Sequence, residues 1–447
     1  MKPRLRPRFA VPLLTAIATL FVFQIDTATG DDPARDRGVR GGPAAAGGPL
    51  DGLSGTEVSF FEHGKEDFEE AEDVADGVGP RMNLDGCGSC HSQPAIGGTS
   101  PAVNPQVAFA NAASPSQLPA IAAFIRPDGP IREVRRVRNP DGTRDGGVIN
   151  TFTITGRDGA NGCNLQQHNF AREIENRNII FRIPSPVFGA GLIEQIPDAT
   201  ILANQAADSS RKRDLGISGR PNRNGNDGTL SRFGWKAQNQ SLLLFSGEAY
   251  NVEMGITSEL FQSEREQNRD CQFATVPNDT QDFLAASALL GTTAIQNFAN
   301  FQRFLAPPTP STDSPGGASS IARGKSLFGS VGCALCHTPT LKTGDSTVPA
   351  LNGKDANLFS DLLLHDMGDG LADGVSQGAA GPREFRTSPL WGLGQRIFFL
   401  HDGRTSDLKV AIREHSSDGS EANGVIRRFN DLRESQKQDL LNFLRSL

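Results

Sequence analysis

Two short strings carry the clearest chemistry in this chain, Cys87-Gly-Ser-Cys90-His91 and Cys333-Ala-Leu-Cys336-His337. The C-x-x-C-H spacing is that of covalent c-type haem attachment. Two thiols at this separation add across the two vinyl groups of one porphyrin, and the adjoining histidine is then held under the iron as its proximal ligand. A redox C-x-x-C, a zinc knuckle or plain disulfides also use paired cysteines. Two independent occurrences of the whole five-residue pattern make those the weaker readings. The sequence therefore predicts two haems, bound through Cys87, Cys90, Cys333 and Cys336, with His91 and His337 on iron.

The sixth position on each iron decides function. A second strong ligand makes an electron carrier, and an open or weakly held site makes peroxide or oxygen chemistry. The remaining supply is His63, His168, His365, His401 and His415, with Met82, Met254, Met367 and the single tyrosine, Tyr250. Two further cysteines, Cys163 and Cys271, lie outside the motifs. In an oxidising compartment one disulfide closing a long loop is the simplest expectation, two free thiols the alternative.

The elements that must position these groups read as mainly helical. Residues from Glu57 to Val74 carry an amphipathic helical pattern that leads through a Gly-rich turn into the first motif, and Ile321 to Val331 lead into the second. Ser435 to Leu447 repeat leucine and phenylalanine at helical spacing, as a closing helix would. Between them, Ile131 to Arg138 and Gly147 to Thr155 flank an Asn-Pro-Asp-Gly turn and predict a β-hairpin. Its basic run, Arg132, Arg135, Arg136 and Arg138, reads as a solvated strand face. Pro307 to Gly317 form a linker. The expected fold is two cytochrome c-like domains, 56–310 and 318–447, the first enlarged by a loop-rich, partly β insertion.

At the start, Lys2, Arg4, Arg6 and Arg8 precede an apolar stretch, Ala10 to Phe23, and small residues at Thr27 to Gly30. That is the pattern of a secretory signal over 1–30, too short for a comfortable membrane span, so no stable insertion is expected after its removal. Residues 31–55 read as a flexible leader. Haem attachment and signal together predict a periplasmic protein. The formal net charge is −7 and becomes more negative once the basic signal is gone. That balance argues against nucleic acid and suits a basic partner such as a small cytochrome.

Several longer strings resemble a known group. Glu384-Phe-Arg-Thr-Ser-Pro-Leu-Trp-Gly-Leu393 and Phe398-Phe-Leu-His-Asp-Gly403 are similar to stretches of bacterial di-haem cytochrome c peroxidases. Their relatives that mature the tryptophan-derived cofactor of methylamine dehydrogenase share them. Cys90-His-Ser-Gln-Pro-Ala-Ile-Gly-Gly98, Phe188-Gly-Ala-Gly-Leu-Ile-Glu194, Arg232-Phe-Gly-Trp-Lys-Ala237, Met254-Gly-Ile-Thr257 and Asp361-Leu-Leu-Leu-His-Asp-Met-Gly368 resemble the di-haem oxidoreductase family, also labelled thiol oxidoreductase. The likeness covers nearly all of the mature chain.

The resemblance implies a peroxidase-type enzyme in which a small cytochrome or cupredoxin reduces the C-terminal haem and peroxide is reduced at the N-terminal one. It places a sixth ligand fourteen residues after the histidine of His-Asp-Gly, where this chain has His415. The peroxidases carry methionine there and the cofactor-maturing enzymes tyrosine. Bis-histidine ligation lowers the reduction potential relative to His/Met. Glu194 is the candidate acid–base catalyst, His365 and His401 line the C-terminal haem, and one of Trp235 and Trp391 lies between the haems or packs in the core. A calcium ion, familiar in the peroxidases, has an Asp- and Gly-rich candidate stretch at Asp366 to Gly374. The alternatives are a di-haem oxidase of an organic or protein substrate and a non-catalytic electron-transfer cytochrome.

Overall fold

A computed structural model describes residues 33–447 apart from 80–83, 114–122, 140, 144–146, 150–158, 166 and 267. The expected signal segment, Met82 and the expected second hairpin strand beyond Ile149 lie outside the described residues.

Helix α1 (Gly55–Glu69) begins at Ser54, whose Oγ accepts from the Glu57 N–H while the Glu57 carboxylate accepts from the Ser54 N–H. It buries Phe61, Gly64 and Phe68, one stripe of the helix. It stops at Glu69, short of the expected Val74. Its last turn holds no basic residue, and Glu70, Glu72 and Asp73 would add negative charge at the negative end of the helix dipole. Helices α2 (Leu242–Met254) and α3 (Ala294–Phe304) follow, then α4 (Ala318–Val331), α5 (Leu408–Arg413), α6 (Asn423–Asn430) and α7 (Glu434–Ser446).

Two glycines define the architecture. A Cβ on Gly64 would lie 2.2 Å from the Asn297 carbonyl oxygen of α3, and one on Gly324 would lie 2.0 Å from the Asp439 carbonyl oxygen of α7. Helices α1/α3 and α4/α7 therefore cross at backbone contact, at a glycine, each upstream of a C-x-x-C-H motif. The haem motifs sit in two copies of one helix-pair unit. The closing helix of the first copy, α3, is an addition to the expected elements, although its Thr293/Gln296 capping box and the Phe298, Phe301 and Phe304 repeat are visible in the chain.

Strands are short. β1 (Glu133–Arg136) pairs antiparallel with β2 (Val148–Ile149) and β3 (Ile179–Arg182), in the order β2-β1-β3, with Val134 opposite both Ile149 and Phe181. The sheet buries Val134 and Phe170 against Phe124 and Phe181. Cys163 and Cys271 form a disulfide, packed on Val74, Ala160 and Leu165.

The core runs in three larger clusters. One centres on Phe61, Phe68, Phe298 and Phe301, another on Phe328, Phe429, Leu440 and Phe443. The third joins Ile193, Ile196 and Leu242 to Leu351, Leu358 and Leu363, so apolar residues from before and after the Pro307–Gly317 loop share it. The leader is not loose. Asp36 accepts from Arg445 Nε (2.7 Å) and Nη2 (2.6 Å), Ala34 joins the C-terminal cluster, and the Leu50 N–H donates to Phe304 O. Low apolar content suggests flexibility there, but the leader is held by hydrogen bonds and one buried ion pair that composition does not reveal. No helix among the described residues is long and apolar enough to cross a membrane.

Candidate functional site

Each C-x-x-C-H motif opens onto a large cavity. The first cavity encloses about 1310 Å³ and the second about 1410 Å³ of empty space, their mouths included. His91 donates from Nδ1 to the Gly98 carbonyl at 3.0 Å, and Phe68 stands edge-on to its ring. His337 donates from Nδ1 to the Phe359 carbonyl at 3.0 Å, with Phe328 beside it. A carbonyl can only accept, so each imidazole keeps its proton on Nδ1 and presents Nε2 as a lone pair. Burial pulls both histidines down to about 4, so each is neutral, the metal-binding form, at neutral pH.

The cysteines fit a porphyrin better than they fit redox or zinc chemistry. Burial makes Cys87, Cys90 and Cys333 less acidic than ordinary thiols, the reverse of an activated thiolate, and neither pair closes a disulfide. Among the described residues one group, Cys336, Asp361 and His365, is close enough together to hold a metal ion. Both ring nitrogens of His365 are already bonded to carboxylates, Nε2 to Asp361 at 2.9 Å and Nδ1 to Glu421 at 2.7 Å. Burial opposes charge on His365, but the Cys336 sulfur and Asp361 outweigh it and raise its pKa. It is an imidazolium, not a ligand.

The two cavities differ. The C-terminal cavity is apolar and lined by four histidines, His337, His365, His401 and His415. His415 repeats the ligand signature of the motif histidines: Nδ1 donates to the Ala411 carbonyl, one turn back across the end of α5, at 2.8 Å, and burial lowers its pKa. The N-terminal cavity is lined by one histidine, His91, and by polar groups: Gln106 from the helix Pro105–Ala113, Glu133 and Arg135 from β1, and Glu248 and Glu253 from α2. Glu253 lines the open cavity and is exposed to it. Burial, then Glu133 and Glu248, push its carboxyl up to about 8.

Trp235 lines both cavities. Its indole N–H donates to the Ile183 carbonyl at 3.1 Å, and its ring lies 6.3 Å from His401, which stacks on Phe385 at 4.4 Å. Lys236 sits 3.9 Å over Phe385 and pairs with buried Asp373, as Arg182 does.

A family model described as "Di-haem oxidoreductase, putative peroxidase" matches residues 145–447. The chain belongs to this family. Among solved structures it is similar to hydrazine synthase of Kuenenia stuttgartiensis, with 16% identity over 60% of this chain and 72% of that one and a TM-score of 0.30. It is also similar to the diheme peroxidase BthA of Burkholderia thailandensis, with 14% identity over 48% and 65% and a TM-score of 0.29. A MauG-like protein associated with microbial copper homeostasis gives 18% identity over 58% and 89%, with a TM-score of 0.30. No curated protein matches. As a di-haem oxidoreductase the protein has two haem cofactors, and the two cavities are where its donor sets fit them.

Several expected residues fall elsewhere in the di-haem oxidoreductase. Glu194 lines neither cavity. Its Oε1 accepts from the Leu242 N–H at 2.8 Å and its Oε2 from Arg303 Nε at 2.9 Å, so it caps α2 and pairs with α3 instead of moving protons. Trp391 packs in the shared core. His63 lies on α1 near Glu66, and His168 near Arg136. Tyr250 donates its hydroxyl to Glu72, and Met254 lines the N-terminal cavity. The basic run is a solvated face only at Arg138, because β1 is the middle strand, and Arg135 on it and Arg132 just before it roof the N-terminal cavity. In the expected calcium stretch Asp366 and Asp369 pair with Arg383, and Asp373 with Arg182 and Lys236. Those acids have cationic partners, where a Ca²⁺ cage needs free carboxylate oxygens. No motif marks Glu253, Glu133 or Glu248, so the sequence alone does not single them out.

Proposed function

We propose that this di-haem oxidoreductase is a periplasmic c-type enzyme that reduces peroxide at the N-terminal haem with electrons entering through the C-terminal haem. Cys87 and Cys90, and Cys333 and Cys336, would hold the porphyrins as thioethers. His91 and His337 would be the proximal ligands, and His415 the sixth ligand of the C-terminal site. The observation that carries this reading is the inequality of the cavities. One holds two neutral imidazoles with Nε2 free in apolar surroundings, the makings of a six-coordinate relay. The other pairs its single histidine with a proton-bearing carboxyl.

Bound haem would supply the redox chemistry of O–O cleavage. The chain's own task is to move a proton between the two oxygens. Glu253, its carboxyl raised to about 8, is protonated at neutral pH and can give that proton and take it back. Arg135, 3.4 Å from Glu133, places a positive charge on the same wall where negative charge develops. Trp235, at the walls of both cavities, supports passage of electrons between them. The negative surface suits a basic electron donor such as a small cytochrome, with a cupredoxin as the other candidate.

Stopped-flow mixing of the half-reduced holoprotein with hydrogen peroxide tests the proposal. Fast oxidation is expected in the native protein, with Glu253→Gln slower by roughly 10²–10⁴-fold. An unreactive, stable low-spin spectrum would overturn it. Met254 on the N-terminal cavity wall favours a second reading, an electron carrier with both irons six-coordinate. A high-spin charge-transfer band in the ferric protein excludes that reading.

A further inference from the structure

The chain contains 27 phenylalanines, two tryptophans and one tyrosine. Its one phenol stands in the wall of the N-terminal cavity, on α2. Tyr250 is buried, packs edge-on to Phe298 at 5.1 Å, and donates its hydroxyl to Glu72 Oε1 at 2.7 Å. Phenylalanine would fill the same space without a buried hydroxyl to satisfy. Glu72 is half-buried, and its own N–H is fixed on the carbonyl of Asp85 at 2.8 Å, two residues before Cys87. The haem-binding cavity, the phenol and a carboxylate thus follow one another without a gap.

We infer that Tyr250 is a redox-active residue of the N-terminal site, giving one electron to the cavity and its phenolic proton to Glu72 while peroxide is reduced. The inference rests on the peroxide reading above. Hydrogen peroxide takes two electrons and two protons to become two waters, the protons coming from solvent. Tyr250 supplies one of those electrons as its O–H bond breaks, and the phenolic proton passes to Glu72 Oε1. The second electron comes from the haem pair. Two electrons from the external donor then restore the phenol and the haem pair, and Glu72 returns the proton.

The electrostatics agree with the geometry. Burial, then Glu72, make the Tyr250 phenol less acidic than usual, so its proton leaves only together with an electron. Burial raises the Glu72 carboxyl to about 7, where it can both accept and return a proton near neutrality.

The experiment is freeze-quench EPR of the ferric holoprotein mixed with hydrogen peroxide. A phenoxyl signal is expected that vanishes in Tyr250→Phe and drops several-fold in Glu72→Gln, which keeps an acceptor oxygen but cannot take the proton. Because the chain has one tyrosine, growth on ring-deuterated tyrosine must narrow the same signal, a check that needs no variant. Peroxide consumption with no phenoxyl signal, or with a signal indifferent to the label or to Tyr250→Phe, overturns the inference alone. If the native protein does not consume peroxide, the peroxide reading falls with it.

Discussion

Both His415 and His365 line the C-terminal cavity, and the partner of each ring nitrogen separates their chemistry. Nδ1 of His415 faces a carbonyl and leaves Nε2 as a lone pair toward the cavity, whereas His365 is clamped between Asp361 and Glu421. We expect His415→Ala to abolish the low-spin bis-histidine EPR signal of the C-terminal haem, and His365→Gln to leave it in place. The clamp also predicts a pH dependence. Burial pushes Glu421 up, but the bond from His365 outweighs it and holds the carboxyl down to about 2, from an ordinary value of 4.5. Its contribution to stability is therefore full above about pH 4.5 and fades as pH falls toward 2. His365 is raised above 6.5, so its share is full below that value and fades only as pH climbs through the raised one. Glu421→Gln should cost roughly 1.5–3 kcal/mol at pH 6. The deficit should shrink as urea unfolding is repeated from pH 4 downward.

At the scale of elements, the helix crossings at Gly64 and Gly324 organise both haem units. Alanine normally stabilises a helix relative to glycine by about 1 kcal/mol. Here the sign should reverse, because the added methyl would meet backbone oxygen at 2.2 Å and 2.0 Å. Gly64→Ala and Gly324→Ala should each destabilise by roughly 1–3 kcal/mol as the helices are forced apart. Gly329 lies on the same helix as Gly324, and a Cβ there would meet nothing within 4 Å, so Gly329→Ala should be neutral or slightly stabilising. Thermal unfolding followed by helical circular dichroism compares the three. The helices leading into both haem motifs are legible from apolar spacing. The crossings are not, since a glycine inside a helix looks like a defect until the facing backbone is known.

For the whole molecule, the leader and the disulfide matter most. Asp36 and Arg445 have side chains 4% and 1% exposed, at opposite ends of the described chain. Asp36→Ala would leave the Arg445 guanidinium buried without its counter-charge, a loss of about 3–5 kcal/mol. Limited proteolysis should then cut the leader, which should resist cleavage in the native protein. The Cys163–Cys271 disulfide spans a sequence separation of 108. A loop of that size restricts the unfolded chain by roughly 4–5 kcal/mol on the chain-entropy scale. Reduction should lower the urea midpoint correspondingly, while the Soret spectrum of the folded protein stays unchanged.

The two C-x-x-C-H strings can be read without a fold because the chemistry they predict is local: thiol, thiol and imidazole within five residues suit one porphyrin edge. The likeness to di-haem oxidoreductases, the three long helices that frame the motifs and the pairing of the two spare cysteines are legible for similar reasons. Glu253, the Tyr250–Glu72 contact and the place of Trp235 between two cavities were decided by tertiary structure alone. Each depends on which side chains α2, β1 and the loop at residue 235 bring to one wall, across separations of more than a hundred residues. Glu194 marks the same boundary from the other side. Its motif is visible in the chain, but only the fold shows both of its oxygens committed to Leu242 and Arg303.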